Sequence, residues 1–246
     1  MKYFVSFFLL LFLISCGNLT PGGEGENVTI TADFESNSLD SVFSPYKAEM
    51  EEEMNEVLGY ADTSFIKHQP ESYLGDLVAD IVYAEGREFM AKTKYFGPGL
   101  EPSMALINFG GLRATIDEGP ITKGDIFSLM PFDNLITVTV LQPNLVKKML
   151  KTINDAGGQP VSNCRIRMSG IKQWLFFDGE EYLYDKPVYV ITSDYLAGGG
   201  DKMSFFKETS HKVSTGVLIR NAIIDYVQEV DTLRIEGDLD RIHIVR

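Results

Sequence analysis

Cysteine is almost absent from this chain of 246 residues: Cys16 and Cys164 are the only two. With Cys16 used elsewhere, no internal disulfide can form in a monomer. Cys164, in an apparent strand over Asn163–Met168, is then expected to be a small packing residue rather than a reactive thiol. Histidine is scarce as well. His68, His211 and His243 are the whole complement; none sits in an Asp-x-His or Gly-Asn-His pattern and no two have metal-ligand spacing, so no metal site is expected within the chain. A Gly-x-Ser-x-Gly elbow is missing, and Cys164 has no evident histidine partner, which removes the common nucleophile routes. Basic charge is thin, with 22 Lys and Arg against 35 Asp and Glu and a net charge of −13. A nucleic-acid polymer is held by a basic face, and here Lys and Arg are scattered, so no such partner is expected. A small nucleotide is still compatible, because one or two arginines can serve it. The acidic run Glu51-Glu52-Glu53 reads as a solvated helix face.

The apolar run Tyr3–Ile14 is shorter than the about 20 residues of a membrane span. With Lys2 ahead of it, it has the form of a secretory leader. It ends in Leu13-Ile14-Ser15-Cys16, which resembles a bacterial lipobox; an ordinary leader with an incidental cysteine is the alternative. Residues 1–15 are thus expected to be a lipoprotein signal peptide, with lipidation at Cys16 and about 0.8 kcal/mol gained per buried CH₂ of the acyl chains. The expected location is the bacterial cell envelope, exported and lipid-anchored to a membrane on its periplasmic or surface side. Residues 16–27, rich in Gly and Pro, read as a flexible tether. Residues 28–246 suit one domain with a sizeable core.

Within that stretch, Val28–Phe34 alternates like a strand, and Ser44-Pro45 would open a helix over Lys47–Leu58 with Pro near its first turn. A second helix starts at Pro70-Glu71-Ser72, with Leu74, Leu77, Val78, Ile81 and Val82 on one stripe and Asp76, Asp80 and Glu85 outside it. Gly97–Pro102 reads as a loop. Strands are expected at Met104–Ile107, Leu135–Leu141, within Arg165–Phe177, at Lys186–Thr192 and at Arg241–Val245; helices are expected at Asn144–Asn154 and Val217–Val230. Without strict βαβ alternation, the fold class is α+β, or mixed α/β, with a mixed β-sheet packed with helices.

Three loops carry chemistry. In Asn108-Phe109-Gly110-Gly111-Leu112-Arg113 two glycines allow a ligand close to the backbone, Asn offers a donor and an acceptor, and Arg offers a planar fork. A tight turn with a surface arginine would look the same. In Met130-Pro131-Phe132-Asp133-Asn134 an aromatic follows a fixed turn, which suits base stacking; a core plug is the other reading. In Tyr195-Leu196-Ala197-Gly198-Gly199-Gly200-Asp201, a second ring precedes a carboxylate able to accept from two vicinal hydroxyls, although a glycine run alone is also simply a flexible loop.

Taken in order, with Gly119-Pro120-Ile121-Thr122, the Ser169-Gly170-Ile171 step and the Tyr73–Asp80 helix, these segments resemble the C-terminal, substrate-binding domain of the 5'-nucleotidase family over nearly all of residues 28–246. The resemblance implies that Phe132 and Tyr195 sandwich a base, that Asn134 and the backbone near Gly170 touch its edges, that Arg113 and Asp201 hold ribose hydroxyls, and that Asn108 faces the scissile end. It implies no catalytic residue in this chain. The expected ligand is a nucleoside 5'-monophosphate or a related small molecule. Hydrolysis of the phosphate ester would fall to a separately encoded metallophosphatase that holds the divalent metals; no cofactor is expected in this chain. The alternatives are a non-catalytic nucleoside binder and a structural lipoprotein that has lost the site. Four departures stand out: Phe109 where the family has Gly, expected to narrow the pocket; Tyr195 where Phe is usual; Lys202-Met203 after Asp201, where Gly and an aromatic are common; and His68-Gln69-Pro70 where an Arg is common.

Overall fold

The sequence alternations sort themselves around a five-stranded sheet. Strands β2 (Ser103–Leu106), β4 (Leu135–Leu141), β5 (Val161–Ser162), β9 (Val188–Ser193) and β10 (Lys212–Leu218) lie in the order β10-β4-β9-β2-β5. β2 and β9 run parallel, and the other pairs are antiparallel. The apolar run in β2 is continuous because the sheet is covered on both faces: Ala105 and Ile107 join one core, while Met104 and Leu106 join another. β9 divides likewise, Ile191 to the first and Val188 and Val190 to the second. The structure, a computed structural model, describes residues 37–93, 95–96 and 102–245. The expected leader, the lipidation site at Cys16, the tether, the Val28–Phe34 strand and most of the Gly97–Pro102 loop lie outside them.

The chain divides into two units, residues 1–46 and residues 47–246. Helix α1 spans Asn37–Met54. It starts earlier than the sequence pattern implied, so Pro45 lies in its interior, and it stops before Val57. Leu58 is instead in strand β1 (Val57–Ala61), where Leu58 and Ala61 are buried while Val57 and Tyr60 face out. β1 pairs with β3 (Gly119–Thr122) and β11 (Thr232–Leu233) in a small sheet.

Helix α2 (Tyr73–Lys92) begins where Ser72 accepts from the Gly75 N–H at 3.1 Å, a cap that satisfies one of the free donors of the first turn. Its buried stripe, including Leu74, Val78, Ile81 and Val82, packs in the first core beside Ile219, Ile223 and Val227 of helix α6 (Ile219–Val230). Full burial of each such side chain contributes about 1.5–3 kcal/mol. Helix α4 (Pro143–Asp155) opens on proline, whose missing N–H costs nothing there, and buries Leu145, Val146, Met149, Leu150 and Ile153 in the second core. That core also holds Ile166, Met168 and Leu175 of a third sheet, built from β6 (Arg165–Ser169), β7 (Lys172–Phe177), β8 (Glu180–Glu181) and β12 (Ile242–Ile244) in the order β12-β6-β7-β8. Among the described residues no helix is long and apolar enough to cross a membrane.

Two expectations are corrected here. Cys164 precedes β6 rather than sitting in it, because Asn163 turns the chain at a φ of 56°; the thiol is buried, which pushes it up to about 12. Asp76 is buried rather than outside the helix stripe. The reason is Arg241, just before β12, whose Nε lies 3.6 Å from Asp76 and whose guanidinium reaches Asp80 Oδ1 at 2.7 Å and Oδ2 at 2.8 Å. Glu71 completes this lock by accepting from the backbone N–H groups of Arg241 and Ile242.

Candidate functional site

Sheet order explains how residues almost a hundred positions apart meet. β2 and β9 are parallel neighbours, so the loops after them leave at the same end. β4 runs against β9, so the loop before it arrives at that end. Asn108 follows β2, Tyr195 and Asp201 follow β9, and Phe132 and Asn134 precede β4. One cavity of about 300 Å³ is lined by Asn108, Gly110, Gly111, Arg113, Phe132, Asn134, Tyr195 and Asp201.

The Asn108–Arg113 segment makes a short 3-10 turn over Phe109–Gly111. Asn108 is buried and donates from Nδ2 to Asp201 Oδ2 at 2.5 Å. A Cβ on Gly111 would lie 2.8 Å from Asn108 Oδ1, so glycine there is what lets the amide fold over the turn. Arg113 is exposed, with one guanidinium nitrogen 3.3 Å from the Gly110 carbonyl. Its backbone N–H donates to the Leu129 carbonyl at 2.8 Å, joining this loop to the next.

That next loop follows helix α3 (Lys123–Leu129), which opens with a capping box: Thr122 Oγ1 accepts from the Asp125 N–H, and the Asp125 carboxylate accepts from the Thr122 N–H. The pair satisfies two donors at once and fixes the start of the helix. Phe132, at its far side, is 46% exposed, so it is not a core plug. Arg220 of α6 braces the loop: it donates to the Met130 carbonyl at 3.3 Å and to Asp133 Oδ1 at 2.6 Å, and stacks 4.2 Å from the Phe127 ring centre. The Ile219 N–H donates to the Asn134 carbonyl at 2.9 Å.

In the third loop, helix α5 (Asp194–Ala197) carries Tyr195, 48% exposed. Its ring lies flat against Gly200, where a Cβ would be 2.4 Å from the ring; only glycine permits that approach. Asp201 Oδ1 is 3.3 Å from the Tyr195 hydroxyl, and the Asp201 N–H donates to the same hydroxyl oxygen at 3.3 Å. The site therefore presents two half-exposed rings, two amides, a guanidinium and a carboxylate around one opening. These can hold a flat heterocycle and a polyhydroxylated group; nothing in the set is an evident nucleophile.

Six of the seven residues singled out from the sequence for ligand contact come together: Asn108, Arg113, Phe132, Asn134, Tyr195 and Asp201. Gly170 stands apart. It turns the β6–β7 hairpin at a φ of 57°, its carbonyl accepts from Asn154 Nδ2, and it is not among the cavity's lining residues. Phe109 does not line the cavity either, contrary to the expected narrowing. Its ring lies 4.5 Å from the Lys67 ammonium and its N–H donates to Gln159 Oε1. In the segment without the family's arginine, Lys67 supplies a cation beside the first loop, donating to the Leu112 carbonyl at 2.6 Å. Gln69 is turned away, bonded to the carbonyls of Ala156 and Gly158. Gln159 and Arg220 had no sequence signal, since each acts on a loop 50 or more residues distant. Among the described residues no three His, Cys, Asp or Glu side chains converge as a metal ion would require.

A family model described as 5'-nucleotidase, C-terminal domain, matches residues 56–208. The trifunctional nucleotide phosphoesterase protein YfkN of Bacillus subtilis is 26% identical over 199 residues, covering 70% of this chain and 12% of that protein. Endonuclease YhcR of the same organism is 29% identical over 209 residues, covering 79% of this chain and 16% of that protein. The solved 5'-nucleotidase precursor from Thermus thermophilus shares the fold with a TM-score of 0.66 at 24% identity, over 85% of this chain and 43% of its own length. The chain thus spans under half the length of each.

Proposed function

The chain belongs to the 5'-nucleotidase C-terminal domain family, and on that premise we propose that it is the nucleoside-recognition part of an assembly that hydrolyses nucleotides. The observation that carries this reading is the single cavity that has Phe132 and Tyr195, each about half exposed, together with Asn108, Arg113, Asn134 and Asp201 in its wall. Phe132 and Tyr195 stack on the base, a contact worth about 1–3 kcal/mol per base in comparable sites. Asn134 reads a base edge with its amide donor and acceptor. Asp201 accepts from the ribose hydroxyls and Arg113 donates to them. Asn108 faces the 5'-phosphate end.

These residues bind and orient; they do not cleave. Attack of water on the phosphate ester is assigned to a metallophosphatase domain on a separate chain, which would supply divalent metals to polarise the phosphate and activate the water. This chain's part is to hold the nucleoside so that the ester lies in reach, which turns a bimolecular encounter into a positioned one. The leader and Cys16 would hold the protein by a lipid anchor to a membrane of the bacterial cell envelope, on its periplasmic or surface side. Cys16→Ser should release it to the soluble fraction on export, and continued membrane retention would count against the anchor.

The decisive test is calorimetric titration of the full chain with adenosine and AMP, alone and with Phe132→Ala, joined to hydrolysis assays of AMP with a candidate metallophosphatase present and absent. Ring-dependent binding, and turnover by the pair above that of the phosphatase alone, are the expected results. Absence of binding by either ligand overturns the reading, and turnover no higher for the pair removes the catalytic partnership.

A further inference from the structure

Tyr195 differs from its neighbours at the cavity in carrying a hydroxyl that is already engaged. That oxygen lies 3.3 Å from Asp201 Oδ1 and accepts from the Asp201 N–H at 3.3 Å, while Asn108 Nδ2 donates to the other carboxylate oxygen, Oδ2, at 2.5 Å. Asp201 has a φ of 47° and Lys202 a φ of 65°, a left-handed pair that L residues hold only when surrounding contacts determine it. Those contacts are visible: the Gly200 N–H donates to the Tyr195 carbonyl at 3.0 Å, the Met203 N–H donates to the Gly200 carbonyl at 2.9 Å, and the Tyr195 ring backs on Gly200. The carboxylate is thus held from both sides. Each oxygen of a carboxylate accepts about two hydrogen bonds; one is taken on Oδ1 and one on Oδ2, so each oxygen keeps one acceptor position at a cavity of about 300 Å³.

One open acceptor per oxygen, with the carboxylate unable to swing, matches two adjacent hydroxyls better than one. We propose that the Tyr195 hydroxyl is a specificity-determining positioning group. It fixes Asp201 so that the pocket selects a vicinal diol, which makes its ligand class ribonucleosides rather than 2'-deoxyribonucleosides. This rests on the nucleoside reading given above. A phenylalanine at 195 keeps the stacking face and the contact with Gly200 but frees Oδ1 and the Asp201 N–H. The carboxylate then turns about its own bonds, and its two oxygens no longer match the two hydroxyls together. A hydroxyl that served only to stabilise the loop would change both ligands alike; a positioning hydroxyl changes their ratio.

The test is calorimetric titration of the full chain with adenosine and with 2'-deoxyadenosine, in wild type and Tyr195→Phe, with the fitted stoichiometry reporting the folded fraction of each. Wild type is expected to prefer adenosine by about tenfold or more, as befits a hydrogen bond to a charged group. Tyr195→Phe should shrink that preference several-fold, the ratio of the two affinities being the readout rather than either affinity alone. An unchanged ratio in the variant, or a wild type that binds both nucleosides equally, overturns the proposal while leaving the nucleoside site standing. A wild type that binds neither nucleoside overturns both.

Discussion

Asp201 and Glu71 are two carboxylates with similar bonding and opposite meaning. Asp201 takes hydrogen bonds from Asn108 and Tyr195, yet it is exposed in the wall of a cavity that two half-exposed rings also line. Glu71 accepts from two backbone N–H groups, those of Arg241 and Ile242, and is only 5% exposed. One carboxylate leaves acceptor capacity facing an opening; the other uses it to fasten a terminal strand. Around Glu71, Arg241 is shared between Asp76 and Asp80, and Asp76 Oδ1 is buried without a hydrogen-bond partner. Bonding partners alone therefore do not separate a ligand site from a structural staple. Exposure of the adjacent apolar surface does.

The sharpest way to break that contrast is Glu71→Ala. It orphans two backbone donors behind a buried strand end, so urea unfolding should show a loss of about 2–4 kcal/mol, with adenosine affinity unchanged once the protein is folded. Phe132→Ala should behave in the opposite sense. Adenosine binding weakens by about 1–3 kcal/mol, while unfolding free energy moves by less than about 0.5 kcal/mol because the ring is half exposed.

Asp76 sharpens the comparison through pH. Burial raises its carboxyl from 3.8 to about 8, outweighing Arg241, with Glu71 and Asp80 adding repulsion. The folded state therefore keeps a proton that the unfolded chain releases between pH about 4 and about 8. Linkage then makes stability fall as pH rises across that window; the contribution is complete below it and gone above it. Asp76→Asn should flatten the decline in melting temperature between those limits, and an equal slope in both proteins would refute the assignment. The smallest effect concerns Cys164. Its thiol, pushed up to about 12 by burial, should resist alkylation at pH 8 in the native protein and react on unfolding, as read by mass at that residue.

Much of the architecture was legible because burial and periodicity agree in it. β4 covers the expected Leu135–Leu141, and α4 exceeds the expected Asn144–Asn154 by one residue at each end. The misses have physical causes. β10 alternates exposed and half-buried residues without a strong apolar face, so pairing with β4 rather than sequence pattern defines it. α3 is too short for helical periodicity to declare itself, although its Thr122-x-x-Asp125 box was a readable start signal. Leu58 looked helical only because the acidic run before it is helical. At the site, the side chains that touch the cavity were readable, since loop residues of unusual composition advertise themselves. The groups that hold those loops were not: Lys67, Gln159 and Arg220 act across large sequence separations, and only the tertiary fold puts them in place.

The crowding of three loops at one end of neighbouring strands couples them mechanically. The Asn108 amide holds Asp201 and the Arg113 N–H holds the Leu129 carbonyl, so a substitution in one loop shifts the groups that another presents to the cavity.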